Sequence, residues 1–212
     1  MFHHLLIRMM IVGLPCLILH CLSLSLACVY ISAKDLPRLL RNKKDKKWKK
    51  YPVQELRGST LGVVGYGDIG KAAARLAHAY GMNVQALKRH VTDEKDPIAE
   101  VVYGNSKAEL QKLFASCDYI LCSMPLTPET EGMIGKAEFA AAKDGAVFIN
   151  VGRGPIVDEH AMIEALQDGQ LKGVGLDVFT MEPLPKESPL WSLDNVLLSP
   201  HSKCAQGSVL HY

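Results

Sequence analysis

Gly65-Tyr66-Gly67-Asp68-Ile69-Gly70 is a GxGxxG that closes an apolar run, Thr60–Gly65, and opens an alanine-rich one, Asp68–Tyr80. A strand on one side and a helix on the other is the context in which this pattern binds a dinucleotide instead of merely marking a turn. Gly65 then permits the tight turn, Gly67 lets a pyrophosphate approach the backbone, and Gly70 lets the helix pack on the strand. Asp68 and Ile69 begin that helix, whose free N–H groups and positive dipole end face the phosphates. The end of the next strand, Asn83–Lys88, selects the dinucleotide. An acidic residue there would bond the adenine ribose 2′-hydroxyl of NAD. This chain instead has Lys88 and Arg89, two cations suited to a 2′-phosphate. NADP(H) is therefore favoured and NAD(H) possible, the plainer alternative being that both are solvated loop residues.

A second group of reactive side chains lies between Asn150 and His201. Arg153 stands between two glycines after an apolar run and can fork onto a carboxylate. Asp177 closes another run, Glu182 and Pro183-Leu184-Pro185 follow it, and Ser199-Pro200-His201 follows the last. These are strand C-terminal ends, where open α/β sheets bind ligands. Taken singly, each such residue is more often structural than catalytic. Six cysteines, Cys16, Cys21, Cys28, Cys117, Cys122 and Cys204, show no spacing suited to zinc, so no metal site is expected. Cys117 and Cys122, which flank an apolar run, read as buried reduced thiols, which fits a reducing compartment.

The elements that must position these groups alternate. Thr60–Gly65, Asn83–Lys88, Tyr119–Cys122, Ala146–Val151, Lys172–Val178 and Val196–Leu198 read as strands. Asp68–Tyr80, Lys107–Ser116 and Asp158–Asp168 read as helices. That alternation implies an α/β fold, a doubly wound parallel sheet of the Rossmann type. At 212 residues, 48% hydrophobic and 22% charged, the chain is of ordinary globular composition and long enough to bury a core without staples.

The formal charge of +2 hides a division. Residues 34–50 carry nine Lys/Arg against two Asp, whereas residues 51–212 are net −6. In the basic stretch Leu36, Leu39 and Leu40 with Trp48 are expected to form one apolar stripe of a helix, leaving the lysines solvated. Binding of nucleic acid or anionic lipid is the sharper reading of those lysines, and no nucleic-acid partner is expected. From Met9 to Ser32 there is no Asp, Glu, Lys or Arg. Three readings of this leader stay open: a membrane anchor leaving the body in the cytosol, a cleavable signal ending near Leu26-Ala27, or a stretch foreign to the native protein. A membrane contact is expected only through residues 9–32, and the body is expected to be cytoplasmic. The expected divisions are an apolar leader, 1–29; a basic helix and linker, 30–58; a dinucleotide-binding domain, 59–203; and a short tail, 204–212.

Gly65–Gly70, Pro125-Leu126-Thr127, Asn150–Gly154, Gly175-Leu176-Asp177-Val178-Phe179, Glu182-Pro183-Leu184-Pro185 and Pro200-His201 together resemble the signature set of the D-isomer-specific 2-hydroxyacid dehydrogenases. That family includes glyoxylate/hydroxypyruvate reductases and phosphoglycerate dehydrogenase. The resemblance runs from about Tyr30 to His201. It implies that Arg153 grips the substrate's carboxylate and keto oxygen, that His201 is the acid/base, and that Glu182 orients and charges it. It further implies that Asp177 bonds the nicotinamide carboxamide, that Pro125, Thr130 and Val151 line the dinucleotide, and that the protein is a homodimer. Reducing a 2-keto acid needs a hydride at carbon and a proton at oxygen. Histidine titrates near working pH, and a neighbouring carboxylate favours its charged form. The expected function is thus an NAD(P)-dependent oxidoreductase interconverting a small 2-keto acid and a D-2-hydroxy acid. Family members carry a separate substrate domain, which the 29 residues before the match are too few to form. The substrate domain is expected to be largely absent and turnover of the chain poor. The alternative is a dinucleotide-binding module of the corepressor kind, without turnover.

Overall fold

The computed structural model describes residues 16–92 and 94–201, with side chains from residue 21 onward. Seven strands form one sheet: β1 (Thr60–Val64), β2 (Asn83–Leu87), β3 (Val101–Tyr103), β4 (Tyr119–Cys122), β5 (Ala146–Asn150), β6 (Leu171–Leu176) and β7 (Val196–Leu198). Every pairing is parallel and the order is β3-β2-β1-β4-β5-β6-β7. The chain reverses its direction of travel between β1 and β4, the switch point at which open sheets bind ligands.

The register brings the strand ends into one row. Val64 stands opposite Leu87 and Cys122, Cys122 opposite Asn150, Asn150 opposite Leu176, and Leu176 opposite Leu198. Glycine-rich loop, paired cations, Arg153 and Asp177 all follow within three residues of that row. Hydrogen bonding of the sheet itself therefore assembles groups 112 positions apart in sequence, from Gly65 to Asp177.

Helices cover both faces, as near-continuous apolar strands require. On one face lie α4 (Lys107–Ser116), α5 (Lys136–Ala141) and α6 (Glu159–Gln167). Their core centres on Phe114, Phe139 and Phe148, whose ring centroids lie 5.4–6.3 Å apart. Asp158 caps α6 by accepting from the Ala161 N–H at 3.1 Å. On the other face lie α1 (Cys16–Lys34) and α3 (Asp68–Ala79), packed on each other and on the sheet. The alanines of α3, Ala72, Ala73, Ala74 and Ala77, are all buried and let α1 come close.

Helix α1 corrects the expected organisation. The expected division at 29/30 falls inside it. Cys21, Leu22, Ser25, Cys28, Val29 and Ala33 are buried, a spacing that follows one face of a helix. Much of the stretch considered as a membrane anchor is thus a wall of the dinucleotide fold. Among the described residues no helix is long and apolar enough to cross a membrane. Residues 9–15 and the expected tail, 204–212, lie outside the described residues.

The basic stretch also differs from expectation. Helix α2 (Leu36–Lys44) ends four residues before Trp48 and has no buried residue. Trp48 is 97% exposed, so it does not continue the stripe of Leu39 and Leu40. Asp45 caps the helix with its N–H bonded to the Arg41 carbonyl, and Lys46, at φ +53, turns the chain off the helical path.

Candidate functional site

At the end of β1, Gly65 adopts φ +100, and a side chain there would collide with Met124 at 2.7 Å. The Gly65 and Tyr66 N–H groups both donate to the Leu87 carbonyl at 3.1 Å. Ser123 donates from Oγ to the Gly65 carbonyl at 2.8 Å. Three strand ends, β1, β2 and β4, are thereby tied into one rigid loop. A Cβ on Gly70 would lie 2.3 Å from the Gly65 carbonyl oxygen, so the helix can rest on the loop only without one. Gly67 has open space around it and caps α3 without a side-chain bond. The first N–H groups of α3, at Asp68 and Ile69, are thus left for an anion.

A cleft of about 710 Å³ runs over this loop. It brings together Gly65, Gly67, Lys88, Arg89, Pro125 and Thr130. Thr130 shapes the far wall, donating from Oγ1 to the Pro125 carbonyl at 2.8 Å while accepting from the Thr127 N–H at 2.8 Å. Arg89 pairs with Glu129 at 3.5 Å, both side chains more than half exposed. Val151 and Asp177 do not line the cleft. They are buried at the ends of β5 and β6, 4% and 3% exposed. Open glycine backbone, unbonded helix N–H groups, cations at one end and an apolar wall fit a dinucleotide. Sequence reasoning missed Tyr66, which is buried and donates to Asp96 at 3.0 Å, along with Ser123, Asn105, Lys107 and Glu129. Asn105 and Lys107 follow β3, the one strand not foreseen, which is why their place beside Lys88 was not evident.

Beyond β5, the buried Asn150 side chain clamps its own loop. Its Oδ1 accepts from the Gly152 N–H at 3.0 Å and its Nδ2 donates to the Arg153 carbonyl at 3.1 Å. Arg153 is held with its side chain exposed, Nη1 donating to the Gly152 carbonyl at 2.6 Å. Glu182 Oε2 meets His201 Nδ1 at 2.9 Å, and Glu182 Oε1 accepts from the Phe179 N–H at 3.0 Å. Partial burial raises the Glu182 pKa, but the His201 and Phe179 bonds and the charges of His201 and Arg153 outweigh it and hold the carboxyl below its ordinary value. This pairing adds stability above the ordinary carboxylate range and loses it as pH falls through the lowered value. Of the three residues expected as one unit, His201 contacts the Glu182 carboxylate directly and the Arg153 charge acts on that same carboxylate.

Helix α1 backs this end of the site. Burial pushes the Cys21 thiol up, with the Asp177 charge adding and the Arg153 charge opposing. Burial likewise pushes Cys28 and Cys117 up to about 12. With Cys122, these four are free buried thiols, unreactive in that state. Among the described residues no His/Cys/Asp/Glu group could hold a metal ion.

The family described as D-isomer specific 2-hydroxyacid dehydrogenase, NAD binding domain, matches residues 26–202. The chain is 47% identical over 150 residues to a glyoxylate/hydroxypyruvate reductase B of Enterobacter sp. (strain 638), a match covering 69% of this chain and 44% of that protein. It is 40% identical over 184 residues to a D-3-phosphoglycerate dehydrogenase of Archaeoglobus fulgidus, covering 86% of this chain and 33% of that one. Its fold superposes, at a TM-score of 0.80 and 37% identity, on a D-isomer specific 2-hydroxyacid dehydrogenase from Xanthobacter autotrophicus Py2 solved in complex with NADPH and MES. That match covers 88% of this chain and 76% of that one. The chain spans about half the length, or less, of these curated relatives.

Proposed function

Because the chain belongs to the D-isomer-specific 2-hydroxyacid dehydrogenase family and carries its NAD-binding domain, we propose that it serves the NAD(P)-dependent reduction of a small 2-keto acid to the D-2-hydroxy acid. Glyoxylate and hydroxypyruvate, the acids named in its relatives, are the proposed substrates. The observation that carries this reading is the 2.9 Å contact between Glu182 and His201 at the mouth of the sheet, with the Arg153 charge acting on the same carboxylate. This pairing favours an enzymatic reading over that of a module that only binds dinucleotide.

The dinucleotide, when bound, supplies the hydride. The chain's own residues do the rest. Arg153 is permanently charged and binds the planar carboxylate of the acid. Glu182 takes up His201 Nδ1, which fixes the ring and leaves Nε2 to meet the keto oxygen. In the direction of reduction His201 gives its proton to that oxygen as the hydride arrives at carbon. Glycine-loop N–H groups would hold the pyrophosphate and Pro125 and Thr130 would flank the dinucleotide, whereas Val151 and Asp177, buried at the ends of β5 and β6 outside that cleft, would back its nicotinamide end. NADPH oxidation in the presence of hydroxypyruvate or glyoxylate tests the reading. No oxidation above that seen with acids lacking the keto group would remove it.

The proposed preference is for NADP(H). Lys88 and Arg89 border the cleft where the adenosine would lie. NADPH is expected to bind tighter than NADH by about ten- to a hundredfold, the range of one charge-assisted contact. Lys88→Asp is expected to lose part of that gap. Fluorescence titration with both cofactors reads it, and equal or tighter NADH binding refutes it.

Association as a homodimer is proposed through α2 and the residues after it, since Leu39, Leu40 and Trp48 would otherwise stay exposed. Light scattering at micromolar concentration should give twice the chain mass, against which a clean monomer would tell. The four buried thiols support placing the protein in the cytoplasm, a reducing compartment.

A further inference from the structure

The adenosine end of the cleft holds a third cation. Strand β3 ends at Tyr103, opposite Leu87, and carries the chain on to Asn105 and Lys107 beside Lys88 and Arg89. Lys107 is the first residue of α4. A cation there faces the positive end of the helix dipole, an unfavourable place that acidic residues normally take. Nor does the helix start need it. Ser106 caps the helix by accepting from the Glu109 N–H, and Glu109 in turn accepts from the Ser106 hydroxyl and the Gly104 N–H. Among the described residues no ion pair within 4 Å holds Lys107, while the Lys88 charge acts on the Asp96 carboxylate. Arg89 does have a partner, but at 3.5 Å and with both side chains more than half exposed. Such a pair is worth little and opens readily. Glu131 also borders the cleft, so the charges there nearly balance until a ligand anion arrives.

We infer that Lys107 is a specificity-determining residue that binds the 2′-phosphate together with Lys88 and Arg89, and that Glu129 competes with that phosphate for Arg89. The inference rests on the NADP(H) reading above. A 2′-phosphate carries close to two negative charges and three acceptor oxygens, enough to engage three cations and to draw Arg89 from a single carboxylate. Adenosine with a free 2′-hydroxyl offers Lys107 nothing comparable. Lys107 therefore adds to discrimination and not to dinucleotide affinity in general.

Adenosine 2′,5′-bisphosphate and 5′-AMP differ only in the 2′-phosphate, so calorimetric titration of the full chain with each isolates the site without any turnover. The wild type should bind the bisphosphate at least about tenfold tighter. Lys107→Gln should reduce bisphosphate affinity about tenfold and leave 5′-AMP unchanged. Glu129→Gln should raise bisphosphate affinity severalfold, again with 5′-AMP unchanged. A lysine with only a structural role at the helix start would change thermal stability, or both affinities alike, and that result overturns the assignment. If Lys107→Gln keeps the full wild-type ratio while Lys88→Gln loses it, the cofactor reading stands and the role of Lys107 falls. A wild type without preference removes both, and an unchanged bisphosphate affinity in Glu129→Gln removes the competition.

Discussion

His201→Ala and Arg153→Ala each lower turnover of the keto acid by about 10²- to 10⁴-fold, the usual worth of a positioned acid/base or of a lost charge clamp, while NADPH binding stays close to that of the wild type. The two losses differ in kind. Without His201 the keto oxygen has no placed proton donor, so kcat falls with the carboxylate still held. Without Arg153 the acid loses its cationic partner, so KM rises as well. Glu182→Gln should fall between these and the wild type. The amide keeps an acceptor for His201 Nδ1 at 2.9 Å but removes the charge. NADPH oxidation at varied keto acid, beside direct NADPH titration, reads all three. Loss of dinucleotide binding in the His201 or Arg153 variant, or turnover within a few-fold of the wild type, would contradict the roles given to these side chains.

Gly154→Ala destabilises the fold by about 3 kcal/mol or more, at the upper end of what overpacking costs. The added methyl would lie 1.9 Å from the Phe179 carbonyl oxygen, 2.0 Å from its carbon and 2.5 Å from the Thr180 nitrogen. All three are backbone, so no side chain can swing aside. Either the loop after Arg153 or the loop holding Phe179 must move, and the latter supplies the N–H that anchors Glu182. A thermal melt followed by circular dichroism should shift down by about 6–12 °C for a chain of this size, with activity falling further than stability alone explains. Gly135→Ala is the control, because its nearest neighbours would stand at 3.8 and 3.9 Å. Equal melting of the two variants would show that the contact at Gly154 relaxes freely.

Much of this arrangement could be read from residue order, and the exceptions have physical causes. Each expected strand bearing a site residue forms, with ends differing by one or two positions, because continuous apolar runs punctuated by Gly and Asp leave little choice. The Val101–Tyr103 strand was missed because three residues at a sheet edge show no alternation, and two of them are only partly buried. The Lys136–Ala141 helix was missed because six residues are too few for a period to appear. For Cys16–Lys34 the buried stripe was hidden, since the partly buried Leu24, Leu26 and Ile31 and the exposed Tyr30 make the flanks of the stripe apolar as well. Glu182 and His201 stand 19 positions apart with no periodic relation, so their pairing came from family likeness and not from spacing. Trp48 illustrates the opposite error, an aromatic residue assigned to a helix face that ends before reaching it.

The exposure of that residue has a spectroscopic result. The chain has two tryptophans. Trp48 is 97% exposed, and Trp191 is 58% exposed with its indole nitrogen donating to the Pro185 carbonyl at 2.9 Å. In the folded chain the Trp48 ring already sits in water and the Trp191 ring is more than half exposed. In a monomer their emission should stay close to that of free indole and change little on denaturation, so unfolding followed by tryptophan fluorescence would look almost flat while the dichroism signal collapses, whereas the proposed dimer would start blue-shifted and move red as Trp48 is released. The same quiet baseline makes Trp48 a reporter. A blue shift in a native sample would register whatever comes to lie against the lysine-rich turn, whether a second copy or another surface, without any added dye.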